Sequence, residues 1–136
     1  HLVFTTVHAN HVFDVIGRFQ HMEIDQYNLV SALNGIVAQR LIRLLCKHCK
    51  KPNDVNEFQA MGCSECNYTG YKGRKAIAEI LVLNDELKEL IINKASIREM
   101  KQISSQYGLL SMRDYAMSLV NTGETTLEEV NRVTFQ

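Results

Sequence analysis

Proline occurs once in 136 residues, at Pro52, and neither sign of charge is in excess. Lys plus Arg number 15 and Asp plus Glu 15, for a formal net charge of zero and a pI of about 7.1. That balance removes any bulk electrostatic case for nucleic acid or an acidic membrane surface. Long apolar runs are missing as well. The uncharged stretch Tyr27–Gln39 is too short to span a bilayer and is interrupted by Asn28, Ser31 and Asn34. The start has no charged region and no small-residue cleavage site, so no signal peptide is visible, and a soluble, cytosolic chain is expected. There is no internal repeat and no low-complexity segment.

What is present is a globular composition. Hydrophobic residues make up 46% and charged residues 22%, enough to bury a core in one domain or in two to three small subdomains. The neutral total hides an uneven distribution. Arg40, Arg43, Lys47, Lys50 and Lys51 fall together, and Lys72, Arg74 and Lys75 follow. Acids dominate later, at Asp85, Glu86, Glu89, Asp114, Glu124, Glu128 and Glu129.

The opening run Leu2 to Val7 is rich in β-branched and apolar residues and reads as a strand buried on both faces. Asn10 can cap a short helix with an apolar face of Val12, Val15, Ile16 and Phe19. Leu29, Leu33, Ile36, Val37, Leu41 and Leu44 keep helical spacing and predict a longer helix from about Asp25 to Leu45. "NYTGYKGR" reads as a tight loop. "KAIAEILVL" predicts a strand with Ile77, Ile80, Val82 and Leu83 as its apolar positions. Four short helices then carry start and stop signals and predict a small bundle. The signals are Asn84, Ser96 with Glu99, Gly108, Ser111 with Asp114, Gly123, and Thr125 with Glu128.

All four cysteines lie in two knuckles, Cys46-Lys-His-Cys49 and Cys63-Ser-Glu-Cys66, separated by thirteen residues. Two residues between paired cysteines let both thiolates face one metal, and the second pair completes the tetrahedron that zinc accepts. The alternatives are a pair of disulfides, which would need an oxidising compartment, four unrelated buried thiols, and a redox motif, which would need only one pair. Four thiolates close the coordination sphere, so the zinc is expected to be structural, with His48 a surface neighbour. Lys47, Lys50, Lys72 and Lys75 are expected to offset its two net negative charges.

Thr5, Thr6 and His8 lie at the carboxyl end of the opening strand, where ligands collect in parallel α/β sheets. A hydroxyl and a titratable ring there suit a phosphate. No nucleophile–base pair, carboxylate dyad or phosphate-cradling glycine loop accompanies them, and "GYKG" lacks the Lys-Ser/Thr of a phosphate loop. These 136 residues hold no complete active site.

Taken together, "HLVFTTVHAN", "LNGIVAQRLIRLLCKHC", "GCSECNYTGYKGRKAIAEIL" and "TTLEEVNRVT" resemble one family in order and spacing. It is the carboxyl-terminal part of the type II secretion and type IV pilus assembly ATPases, and the resemblance covers essentially the whole chain. It implies the α/β tail of a RecA-like P-loop ATPase domain, a small tetracysteine zinc subdomain and a C-terminal helical bundle, mostly α with few strands. The implied boundaries are 1–45 for the ATPase part with its histidine box, 46–74 for the metal-binding subdomain, 75–83 for a strand returning to the ATPase core, and 84–136 for the helical part. His1 and His8 match the histidine box, near the nucleotide's γ-phosphate. Thr5, Thr6 and Arg40 would lie close to the same site, and Cys46, Cys49, Cys63 and Cys66 match the metal ligands. Ala9 stands where the family usually has Thr, and Lys75-Ala76 where it usually has Thr-Gly.

The resemblance further implies a homo-hexamer in the full-length protein, using ATP and Mg²⁺ and working at inner-membrane secretion or pilus platform proteins. It would be cytoplasmic, attached peripherally to the bacterial inner membrane. The phosphate loop and the Mg²⁺-binding motif lie upstream of the histidine box in that family, so this stretch alone is expected to hydrolyse no ATP. The alternatives are a zinc-containing nucleic-acid-binding module, to which the basic cluster and Tyr68 and Tyr71 lend some support, and a structural adaptor without ATPase activity. With zero net charge, no nucleic acid is expected.

Overall fold

Residues 1–9 form neither helix nor strand in the computed structural model, which describes residues 1–55 and 57–135. Leu2, Val3 and Phe4 are exposed, so the expected opening strand is not formed. A strand buried on both faces needs neighbours on both sides, and among the described residues none flanks this segment. Helix α1, Val12–His21, follows and buries Val12, Phe13, Val15 and Ile16, the expected face with Phe13 added and Phe19 only half-buried. Asn10 does not cap it: the N-cap position belongs to His11, whose side chain makes no cap bond.

The long helix expected from Asp25 to Leu45 is instead a short helix and a long strand. Helix α2 is Gln26–Ala32, capped by the Asp25 carboxylate, which accepts the Asn28 N–H at 2.9 Å. Leu33 then turns to extended backbone, and β1 runs from Gly35 to Leu45. Asn34 and Gly35 interrupt the helical register. Beyond them β-branched Ile36, Val37 and Ile42 favour a strand. Ile36, Ala38, Arg40 and Ile42 turn inward while Val37, Gln39 and Leu41 face out, the period of two that a pleated strand requires.

Two short strands, β2 (Lys51–Pro52) and β3 (Phe58–Gln59), pair antiparallel. After a 3₁₀ turn at Ser64–Cys66 comes β4, Tyr71–Val82, which pairs with β1. Leu83 N–H bonds Asn34 O at one end of that ribbon and Cys46 N–H bonds Gly70 O at the other, so its strands run antiparallel. In β4 the buried positions are Ile77, Glu79 and Leu81, whereas Ile80 and Val82, expected in the core, are exposed. A carboxylate among the inward positions hid the alternation from the sequence.

Helices α3 (Asp85–Ile92), α4 (Ile97–Gln106), α5 (Met112–Asn121) and α6 (Leu127–Thr134) complete the chain. Asn84, Ser96 and Ser111 cap the first three as expected. The last is capped by Thr126 rather than Thr125, because the Thr125 hydroxyl donates to Arg43 O at 2.8 Å. The Ser96 cap is reciprocal: its hydroxyl accepts the Glu99 N–H and the Glu99 carboxylate accepts the Ser96 N–H. Ser96→Ala is expected to cost about 1 kcal/mol, read as a lower thermal midpoint with unchanged metal content.

The chain divides into two compact units. The first takes His1–Ala38 and Glu79–Leu110. Its core joins Val12, Ile16, Leu29, Ile36, Leu81, Leu87, Ile91 and Met100, with α3 packed on α2 and α4. The second takes Gln39–Ala78 and Ser111–Gln136; it buries Ile42, Ile77, Ala116, Leu119, Val130 and Val133 and packs α5 on α6. The four carboxyl-terminal helices are thus shared, two to each unit.

Candidate metal centre

The loops that leave β1 and enter β4 bring the four cysteines together. Their sulfurs all lie within 4.8 Å of one another. Cys46 Sγ is 3.8 Å from Cys63 Sγ, Cys49 Sγ 3.8 Å from Cys66 Sγ, and Cys63 Sγ 3.8 Å from Cys66 Sγ. A disulfide would hold two sulfurs about 2.05 Å apart, so the cysteines are free thiols and that alternative is gone. A tetrahedron of thiolates bonded at about 2.3 Å to a central ion has edges of about 3.8 Å. The donor set fits a metal ion.

Backbone geometry prepares the sulfurs as ligands. Gly62 N–H donates to Cys49 Sγ at 3.3 Å, and Cys63 and Gly70 N–H donate to Cys66 Sγ at 3.2 Å each. Burial alone would raise the Cys66 thiol, but the two N–H donors, joined by the Cys49 and Cys63 thiols, outweigh it and hold the pKa at about 6. Burial pushes the Cys49 thiol up to about 11, the neighbouring thiols adding to the rise against the Gly62 N–H. Four thiolates so close together would need a cation between them. Gly70 makes its bond with φ at +78°, and a Cβ there would lie 2.6 Å from Ala60 Cβ; only glycine fits. Asn67 and Tyr68, also left-handed, close the second knuckle.

His48 is exposed and stands outside the cluster. Three of the lysines expected to offset the thiolates have closer partners. Lys72 pairs with Glu65 at 3.0 Å and Lys75 with Glu124 at 2.9 Å. Lys50 donates to Gly123 O at 2.7 Å and lies over the Phe58 ring. Lys72 still feels Cys46 and Cys63, which add to the rise of its pKa after the Glu65 hydrogen bond and charge.

A second polar cluster went unread in the sequence. Glu129, wholly buried, accepts from the Arg43 N–H and side chain and from Arg132 at 2.6–3.0 Å. The Arg43 guanidinium lies 4.2 Å from the centre of the Tyr71 ring, and Tyr71 OH meets Thr126 Oγ1 at 2.7 Å. The available signal was "TTLEEVNR", where Glu129 occupies the same helix face as Val130 and Val133 and so had to find cationic partners.

Of the other expected site residues, His1, Thr5, Thr6 and His8 are exposed in the opening segment of the first unit. Arg40 belongs to the second unit, where its Nη1 donates to Val133 O at 2.6 Å. The structure brings together the four cysteines. Among the described residues no helix is long and apolar enough to cross a membrane.

A two-stranded ribbon leads into the cluster of four cysteines, and short helices flank it. The family described as "Type II/IV secretion system protein" matches residues 1–132, and the chain belongs to it. Its curated relatives include type II secretion system protein HxcR of Pseudomonas aeruginosa, 37% identical over 98% of this chain and 28% of the relative. The type IV pilus assembly ATPase PilB of Thermus thermophilus is 36% identical over 96% of this chain and 17% of its own length. The type II secretion system ATPase E of Vibrio cholerae is 36% identical over 98% and 30%. The chain thus spans under a third of each of these three relatives. The crystal structure of the pilus retraction motor PilT with bound ADP has the same fold, with a TM-score of 0.68 at 22% identity over all of this chain and 33% of that one.

Proposed function

We propose that this chain is the carboxyl-terminal part of a hexameric cytoplasmic ATPase that powers type II secretion or type IV pilus assembly. The observation that carries the reading is the family match over residues 1–132, which includes all four clustered cysteines. In this reading residues 1–45 complete a RecA-like nucleotide domain, 46–74 form a zinc subdomain, 75–83 return a strand to the ATPase core, and 84–136 form the helical part. Zinc is the ion assigned to Cys46, Cys49, Cys63 and Cys66. Its closed thiolate shell leaves no position for a substrate, so its role is to hold the loops. The longer protein docks from the cytoplasm on inner-membrane platform proteins. Lys50, Lys72 and Lys75, partnered within their own unit, support this reading over a nucleic-acid module.

ATP and Mg²⁺ serve the longer protein, with His8 and His1 near the γ-phosphate and Thr5, Thr6 and Arg40 around them. Phosphoryl transfer is catalysed mainly by positioning and charge stabilisation, the work assigned to these side chains. In the longer protein His8→Ala is expected to lower ATP turnover by about 100-fold while the Kd for nucleotide stays near normal. Steady-state turnover together with nucleotide titration tests this, and undiminished turnover would remove His8 from the site.

A further inference from the structure

Helix α1 begins without a cap of its own. His11 holds the N-cap position in extended backbone and gives no side-chain bond to the first turn, although a helix leaves its first N–H groups without intrahelical partners. The acceptor comes from strand β4: Glu79 Oε1 takes the Val12 N–H at 2.9 Å, with Glu79 only 7% exposed and Val12 wholly buried. Asp14, in the first turn, accepts the Asn10 N–H at 3.3 Å and lies 3.6 Å from His11 Nε2. Two carboxylates therefore converge on residues 10–12, at the end of the helix where the macrodipole favours negative charge.

Glu79 sits where the strand's alternation calls for an apolar side chain, between Ile77 and Leu81, both buried. A carboxylate there is costly unless it is hydrogen-bonded, and an apolar residue would serve the strand better. The bond to α1 supplies one such partner. Ala9 packs on the same core as Val12, so residues 9–12 are held at both ends. His8 is the first residue outside that anchor.

We propose that Glu79 is a positioning residue: a cap supplied by β4 that fixes where the chain turns into α1 and so sets the direction in which His8 leaves the core. The consequence for catalysis rests on the ATPase reading above; the anchoring itself does not. Two variants separate the bond from the bulk of the side chain. Glu79→Gln keeps an acceptor oxygen and Glu79→Ala removes it.

In this chain, amide hydrogen exchange at residues 9–13 is expected to speed up in Glu79→Ala, by about tenfold for a lost cap, and to stay near wild type in Glu79→Gln. Unchanged exchange in Glu79→Ala would overturn the anchor. In the longer protein, Glu79→Ala is expected to lower kcat for ATP by about 10- to 100-fold, as misplacement of a catalytic group does, with KM little changed and with Glu79→Gln restoring most of the rate. Faster exchange with kcat intact would overturn the positioning role. Absence of turnover in the wild type would instead remove the ATPase reading, and the exchange measurement would still decide whether Glu79 holds the segment.

Discussion

Cys66→Ser is expected to release the metal and unfold residues 46–70, while helices α3 and α4 keep their amide protection. Cys66 is the ligand with most to lose. Its sulfur lies 3.8 Å from both Cys49 Sγ and Cys63 Sγ and accepts two backbone N–H groups. The segment around it has little else to hold it: two-residue strands β2 and β3 and one 3₁₀ turn, with Val55 and Met61 exposed. Structural zinc contributes on the order of 10 kcal/mol of binding free energy to the fold of small sites at neutral pH, more than such a loop can supply by burial. The effect should spread as far as the turn between α5 and α6, because Lys50 and Phe58 lean on Gly123. It should stop short of the first unit, whose core of Ile16, Leu81, Ile91 and Met100 contains no cysteine. Hydrogen exchange with and without chelator measures both halves, alongside metal content. Residues 46–70 staying protected after metal loss would defeat the zinc-scaffold reading.

The second large effect belongs to Glu129. Burial alone would raise its pKa, but hydrogen bonds from Arg132 and Arg43 outweigh burial and lower it from 4.5 to about 2. A carboxyl group lowered in the folded state contributes stability that is fully present above its unfolded value and is lost as pH falls through the folded one. The window here runs from about pH 5 down to about pH 2, and the contribution is roughly 3 kcal/mol. Glu129→Ala at neutral pH should therefore cost about 2–3 kcal/mol, less than the roughly 3–5 kcal/mol of a fully buried broken pair, because Arg43 and Arg132 are 42% and 49% exposed. Thermal unfolding of wild type and variant at pH 7, 5 and 3 tests it. The gap between them should narrow as pH falls, and a gap constant with pH would show that the ion pairs carry none of the difference. Other carboxylates lowered by their partners, Glu65 beside Lys72 and Glu124 beside Lys75, shift both proteins alike and drop out of the comparison.

Local chemistry made part of this molecule legible. Cysteine spacing announced one cluster because a two-residue knuckle places two thiolates on one side of the chain whatever surrounds it. The caps at Asn84, Ser96 and Ser111 were equally readable, since each satisfies N–H groups only a few residues away. Fold family was also within reach, because the four quoted motifs keep their order and spacing along the whole chain. Other features depended on partners distant in sequence. Leu33, Ile36, Leu41 and Leu44 keep a helical period, and a strand formed over them because β4 offers a hydrogen-bonding edge to residues 35–45. Thr125 gave up the cap to Thr126 because Arg43 O claimed its hydroxyl. Nothing next to Glu79 or Glu129 in the sequence marks it as buried, yet one is the acceptor for a helix 67 residues upstream and the other lies between two arginines. Sequence was enough for the pairing of the four cysteines, the helix starts set by local caps and the family. Tertiary structure alone decided which segment became a strand and which carboxylates went inside, because both depend on hydrogen-bond partners that only the folded chain brings within 3 Å.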